Sequence, residues 1–274
     1  MPPLDTSQFH GMNISNVVQR AQETAETGKA TLLEAKAIYE ACLKQKLEPY
    51  TRGRIRQDIW YIDRCLGDYP LYLSQGGQDR YVHETFFKNK RDGVFVEIGG
   101  CNGWVGSNCY FFEKTLGWTG VIVEASPALA KQIGGIRDNP VVHAAIADRD
   151  DTMAFREVAK GFTQMGGLVD YYSADALEMV RSHPNHVERT TMVSTLRLET
   201  LLQTHGLDRV DYCSIDVEGA ERAILSDFDF GAYDISVLSV ENGPGNTASS
   251  VRDIMEPAGY QLVDIVGPDE IYKK

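Results

Sequence analysis

The sequence contains no long apolar run. No uncharged hydrophobic stretch approaches the roughly 18 residues a membrane helix requires, so no membrane span is expected. The opening "MPPLDTSQFH" lacks a basic start followed by an apolar core, so no signal peptide is expected, and a cytoplasmic location is inferred. Basic residues are in short supply: 27 Lys and Arg stand against 39 Asp and Glu, a formal charge of −12. That balance disfavours a phosphate backbone as the main partner, and no nucleic acid is expected. Cysteine is sparse and dispersed, at Cys42, Cys65, Cys101, Cys109 and Cys213, with no CxxC pair. Such a set argues against a disulfide framework or a zinc site and suits buried thiols in a reducing compartment. Internal repeats and low-complexity tracts are also missing.

What is present is a chain of 274 residues with 43% hydrophobic content, enough for one large α/β domain plus an appendage. From about Ile14 to Tyr69 the apolar residues fall at helical spacing, as in "TLLEAKAIYEACLKQ" and in the stripe Ile55, Ile59, Ile62, Leu66. Two or three amphipathic helices, closed by Gly67 and Pro70, are predicted. Residues 1–72 are therefore set apart as a helical region. It offers a cap, a face for a homo-oligomer, or packing alone. Beyond Leu71 short apolar runs alternate with helix-length stretches: "GVFVEIG", "TGVIVEA", "PVVHAAIAD", "VDYCSID", "DISVLSVEN" and "YQLVDIV". That alternation implies βαβ units and a parallel sheet over residues 73–274. Residues 159–193 interrupt the rhythm, and a long insert of this kind serves either as an active-site lid or as surface decoration.

The stretch "VFVEIGGCNGWVGSN" ends a strand in a glycine turn. In open α/β sheets ligands bind at the carboxyl ends of the strands. Gly99, Gly100 and Gly103 permit positive φ and close approach. The spacing is not GxGxxG, because Cys101 and Trp104 stand where glycines would be needed. An acid at Glu97 would repel a pyrophosphate and suit an ammonium group. Glu124, ending the second strand, falls where an acid accepts ribose hydroxyls. A nucleoside with a cationic amino-acid tail satisfies both, and S-adenosylmethionine is such a molecule. Asp148, after "AAIA", is either a partner for the adenine amino group or a turn residue.

These segments, with "SQGGQDRYV" (74–82), "GVIVEASP" (120–127), "DYCSIDVEGAERAIL" (211–225) and "AGYQLVDIVGPDEIY", resemble the FkbM family of S-adenosylmethionine-dependent methyltransferases. The resemblance implies a class I, Rossmann-like fold: a seven-stranded, mostly parallel sheet with a reversed final hairpin, here carrying an N-terminal helical extension. It places Glu97, Gly99, Asn102 and Gly103 around the methionine part and Glu124 at the ribose. Ser74, Gln75 and Gln78 would lie near the amino-acid end. Ser107, Asn108, Ala125 and Ser126, beside the same two strand ends, are counted with the donor site.

Two further strands end in acids, at Asp216 and at Glu241–Asn242. If the strands are neighbours, Asp216, Glu241 and Asn242 form a hard-oxygen set for Mg²⁺, an arrangement that resembles the metal-dependent catechol-type methyltransferases. A bound cation would lower the pKa of an acceptor hydroxyl. The other interpretation leaves Asp216 beside the sulfonium and Glu241 as a helix cap near Asn246. The general base is sought in Glu218 or, from the insert, His186, although "SHPNH" also reads as a polar turn. The function expected is O-methylation of a small-molecule or glycan hydroxyl. An amine or carboxylate acceptor with no metal, and a non-catalytic nucleoside- or partner-binding module, are the alternatives.

Overall fold

Each apolar run after Leu71 becomes a strand, and the helical stretches pack between them. The computed structural model describes residues 14–67, 71–242 and 251–274; Pro70 and Asn246 lie outside these. Two helices open the chain, α1 (Ile14–Leu43) and α2 (Pro49–Leu66). α2 begins with Glu48 accepting from the Thr51 N–H and a proline in the first turn, and stops at Gly67, which takes φ 76°. Then follow α3 (Gln78–Val82), a π-helical turn over His83–Phe87, β1 (Val94–Ile98), α4 (Tyr110–Leu116), β2 (Thr119–Glu124), α5 (Pro127–Ile133), β3 (Val141–His143) and β4 (Ala145–Ile146). The chain continues through β5 (Asp151–Lys160), β6 (Gly167–Leu168), α6 (Ala174–Ser182), β7 (Val187–Leu196), α7 (Leu198–His205), β8 (Arg209–Ile215), α8 (Glu221–Ser226) and β9 (Asp234–Glu241). It closes with α9 (Arg252–Met255), β10 (Gln261–Val266) and β11 (Asp269–Lys273).

Seven strands form one sheet in the order β10-β11-β9-β8-β1-β2-β3. Neighbours from β9 to β3 pair in parallel, whereas β11 runs antiparallel to both β9 and β10. The sheet is therefore mixed, where a mostly parallel one was expected. The cause is local: Gly267 and Pro268 alone join β10 to β11, and so short a link makes a hairpin and no crossover. Alternation sorts the buried strands onto two faces. In β1, Val96 and Ile98 join one hydrophobic cluster and Phe95 the other.

The insert at 159–193 is not a detached lid. Its ends are the paired strands β5 and β7, antiparallel from Asp151–Thr195 to Lys160–Val187, and with β4 and β6 they make a second, four-stranded sheet. Alternate residues of β5, Met153 and Phe155, are buried beneath it.

α2 lies against β10. Gly53 makes the close approach feasible, because a Cβ there would come within 2.5 Å of Ile265 Cγ2 and 2.9 Å of the Gly267 carbonyl. Arg56 pairs with Asp264, and the Trp60 indole N–H donates to the Ser74 carbonyl at 3.1 Å. α1 rests on α2, with Lys36 paired to Asp63. Among the described residues no helix is long and apolar enough to cross a membrane.

Candidate active site

The carboxyl ends of β1, β2, β8 and β9 open into a cleft of ≈ 1060 Å³. Gly99, with φ 90°, starts its floor. Its missing side chain serves the protein: a Cβ at 99 would overlap the Asp216 carbonyl oxygen, so glycine lets β1 and β8 end side by side. Gly103 likewise meets Ile133. The glycines thus bring strand ends and a helix together, and the ligand space is set by what lines the cleft.

Glu124 sits at the end of β2, buried at the cleft wall. Its two oxygens accept from the Cys101 N–H at 2.9 Å and the Ser126 N–H at 2.7 Å. Burial pushes its carboxyl up to about 7, against the pull of these backbone N–H groups, and the nearby Asp216 charge adds to the rise. Across the cleft, Asp216, Glu218 and Glu241 bring carboxylate oxygens within 4.8 Å of one another. Burial raises all three carboxyls, and their mutual repulsion raises Glu218 and Glu241 further. The contact between Glu241 and Asp216 lowers the Asp216 carboxyl and raises that of Glu241. Glu218 reaches the site through strained backbone, at φ 59°. Glu221 holds that turn by accepting from the Val217 N–H at 2.9 Å and the Gly219 N–H at 3.0 Å. None of Glu124, Asp216, Glu218 and Glu241 pairs with a Lys or Arg among the described residues.

Of the residues singled out in the sequence, Gln75, Gly99, Asn102, Glu124, Ala125, Ser126, Asp216, Glu218, Glu241 and Asn242 line this cleft. Others do not, for physical reasons. Glu97 stands one residue short of the end of β1, set back from the cleft rim that Glu124 reaches at the end of β2. There it accepts from Arg137 at 2.8 Å, Ser107 Oγ at 2.6 Å and the Cys109 N–H at 3.1 Å. The assignment of Glu97 to an ammonium ligand is therefore corrected: Arg137, which also binds Glu113 at 2.7 Å, takes that carboxylate. Ser107 belongs to the same buried network, and Gly103 only lends it a carbonyl. Ser74 is buried and bonded to Asp79, Gln78 donates to Asp269 at 3.0 Å, and Asn108 donates to Ser214 at 2.9 Å.

Asp148 is paired with Arg149 outside the cleft, which takes Ala144, Ala145 and Ile146 from this part of the chain instead. His186 bonds to Glu188 at 3.0 Å within the second sheet and does not line the cleft, so it is withdrawn as a base. Asn242 points its amide nitrogen at Tyr50 and Glu270, and Glu218 takes its place in the acidic cluster.

Several lining residues escaped the sequence. Phe155, Glu157 and Val158 of β5, and Thr163 to Gly166 with Met179 from the insert, form one side. Ser126 Oγ donates to Glu157 at 2.9 Å. No strand-end signal marks these positions. A stripe of α2, by contrast, was open to detection: Tyr50, Arg54, Gln57, Tyr61 and Arg64 recur at helical spacing and line the cleft as well.

An α/β sheet with a carboxylate-walled cleft at its strand ends is the setting of a ligand site. The methyltransferase FkbM domain matches residues 97–262, more than half of the chain. The protein belongs to the FkbM methyltransferase family. No curated protein matches it. A crystal structure described as methyltransferase FkbM from Methylobacillus flagellatus overlays 89% of this chain and 60% of its own, at 9% identity and a TM-score of 0.44. The chain thus spans about three-fifths of that neighbour's length.

Proposed function

We propose that this protein is an S-adenosylmethionine-dependent O-methyltransferase with a class I, Rossmann-like core. The observation that carries the proposal is the field of the cleft. Glu124, Asp216, Glu218 and Glu241 converge on it without basic partners, and their raised pKa values record the cost of that convergence. A ligand bearing a sulfonium and an ammonium relieves it. The strand order, with β11 reversed beside β9, supports the class I core.

In this proposal Glu124 accepts the ribose hydroxyls. Leu129, Ala144, Ile146 and Phe155 offer an apolar slot for the base, and Gln75 and Asn102 stand towards the amino-acid end. The acceptor oxygen attacks the methyl carbon in line with the carbon–sulfur bond, whose electron pair leaves on sulfur to give a neutral thioether. The hydroxyl proton passes to Glu218, whose carboxyl becomes a base when the cationic donor lowers its pKa. Asp216, Glu218 and Glu241 are also the hard-oxygen set that would hold Mg²⁺, which when bound lowers the pKa of the acceptor hydroxyl. The acceptor is a hydroxyl of a sugar, glycan or natural product.

The test is a thermal-shift series with S-adenosylhomocysteine, S-adenosylmethionine, NAD and ATP. The two sulfur ligands should stabilise the protein by about 2.7 kcal/mol at a hundredfold excess over Kd, and NAD and ATP should not. Equal shifts with all four, or none with the sulfur ligands, would remove the proposal.

A further inference from the structure

α2 lies wholly outside residues 97–262, the segment that carries the family match, yet it supplies one wall of the cleft. Its sequence is divided into faces. Gly53, Arg56, Trp60, Ile62 and Asp63 bind it to the rest of the protein: Gly53 against Ile265, Arg56 to Asp264, Trp60 to Ser74, and Asp63 to Lys36 and Arg80. Those contacts fix the rotation of the helix. The remaining stripe, Tyr50, Arg54, Gln57, Tyr61 and Arg64, is left lining the cleft, with Tyr50 bonded to Asn242 beside Glu241.

Arg54 and Arg64, like Arg52 and Arg91, lack an ion-pair partner among the described residues, but of these four only they line the cleft. Arg56, Arg80, Arg137, Arg156, Arg189 and Arg222 all sit against carboxylates. Arg54 and Arg64 have no carboxylate within ion-pair distance among the described residues; Arg64 only lies over the Trp60 ring, 5.8 Å from its centroid. Both side chains are exposed to the cleft, so they are held there without being neutralised. The cleft is polar in the electrostatic sense: acids at the strand ends, guanidinium groups on the helix.

We infer that α2 is the acceptor-binding wall and that Arg54 and Arg64 select an acceptor bearing an anionic group, a carboxylate or a phosphate. Arginine is suited to this role, because its planar fork meets either group with paired hydrogen bonds. The strand-end acids would repel that anion, so the ligand binds in one direction, with its anion on Arg54 and Arg64 and its hydroxyl towards the donor. Gln57, Tyr61 and the insert's Thr163 and Gln164 add uncharged hydrogen-bonding groups to the same cleft.

This inference rests on the methyltransferase proposal, and its test separates the two. The full-length protein, saturated with S-adenosylhomocysteine, is titrated calorimetrically with glucuronate, glucose 6-phosphate and glucose. The same titrations are made on an Arg54→Gln, Arg64→Gln double variant, whose two exposed positions leave folding intact, as an unchanged melting temperature will show. At least one anionic sugar should bind the wild type more tightly than glucose, and the double variant should lose about tenfold of that affinity. Glucuronate and glucose 6-phosphate distinguish carboxylate from phosphate selection. Affinity for S-adenosylhomocysteine should change less than about twofold.

An Arg54→Lys, Arg64→Lys variant should recover part of the anion binding. If neither anionic sugar surpasses glucose, the inference fails while the donor site stands. If the double variant instead loses S-adenosylhomocysteine, the arginines hold the donor's own carboxylate and the inference is overturned. Failure of the wild type to bind S-adenosylhomocysteine would remove the underlying proposal.

Discussion

Glu124 shows how one side chain registers its surroundings. It is buried, it accepts two backbone N–H bonds, and it still carries a carboxyl raised to about 7. Ribose hydroxyls donate to the ionised form, so protonation removes the better acceptor. Affinity for S-adenosylhomocysteine should therefore fall as pH drops through about 7, and a Glu124→Gln variant should show a flatter profile in the same calorimetric series. Glu124→Ala should weaken binding several-fold or more, because charge-assisted hydrogen bonds are lost. An unchanged affinity would take Glu124 out of the donor site. This residue was legible in the sequence, because a strand that ends in an acid places it at a known rim. Glu97 ends in the same pattern and does something else. It stands one residue short of the end of β1, and its partner Arg137 lies 40 residues away, in a loop with no signature.

At the scale of elements, that ion pair ties β1 to the start of α4 and to the segment after α5. The Arg137 guanidinium is fully enclosed between Glu97 and Glu113. Arg137→Ala should destabilise the protein by about 3–5 kcal/mol, since it leaves the buried Glu97 carboxylate without its cation and Glu113 with Lys114 alone. Urea denaturation measures this, and a change under about 1 kcal/mol would mean the pair is dispensable. The acidic elements make a separate prediction. If Asp216, Glu218 and Glu241 hold Mg²⁺, dialysis against EDTA should abolish turnover and added Mg²⁺ restore it; full activity in EDTA assigns them to the donor alone. The strands of the main sheet were legible because their apolar runs are bounded by glycines and acids. The second sheet was not: β5 and β7 flank the insert and pair with one another, a long-range choice that local pattern does not encode.

The whole molecule carries a formal charge of −12, and six of its acids line one cleft. Burial raises Glu124 and Glu221 to about 7 and Asp269 to about 8. In the unfolded chain these groups titrate near 4 to 4.5. The folded state thus retains protons that the unfolded state releases, and stability should decline as pH rises from about 4.5 to about 8. A melting series across that window checks the sign, and a flat or rising curve would contradict it. A cationic donor should flatten the decline, since it stabilises the ionised carboxylates. The helical region was set apart by its sequence, but its place in the cleft was not visible there. That place comes from Gly53 and from the Arg56–Asp264 ion pair to β10, which no periodicity announces.

The central claim is that four unneutralised carboxylates form a site for a cationic sulfur nucleoside. Calorimetric titration of S-adenosylmethionine into the wild type and Glu124→Ala at about pH 8 tests it most directly. One saturable site in the wild type, several-fold weaker in the variant, is the predicted result. No binding, or binding that ignores the substitution, would contradict it.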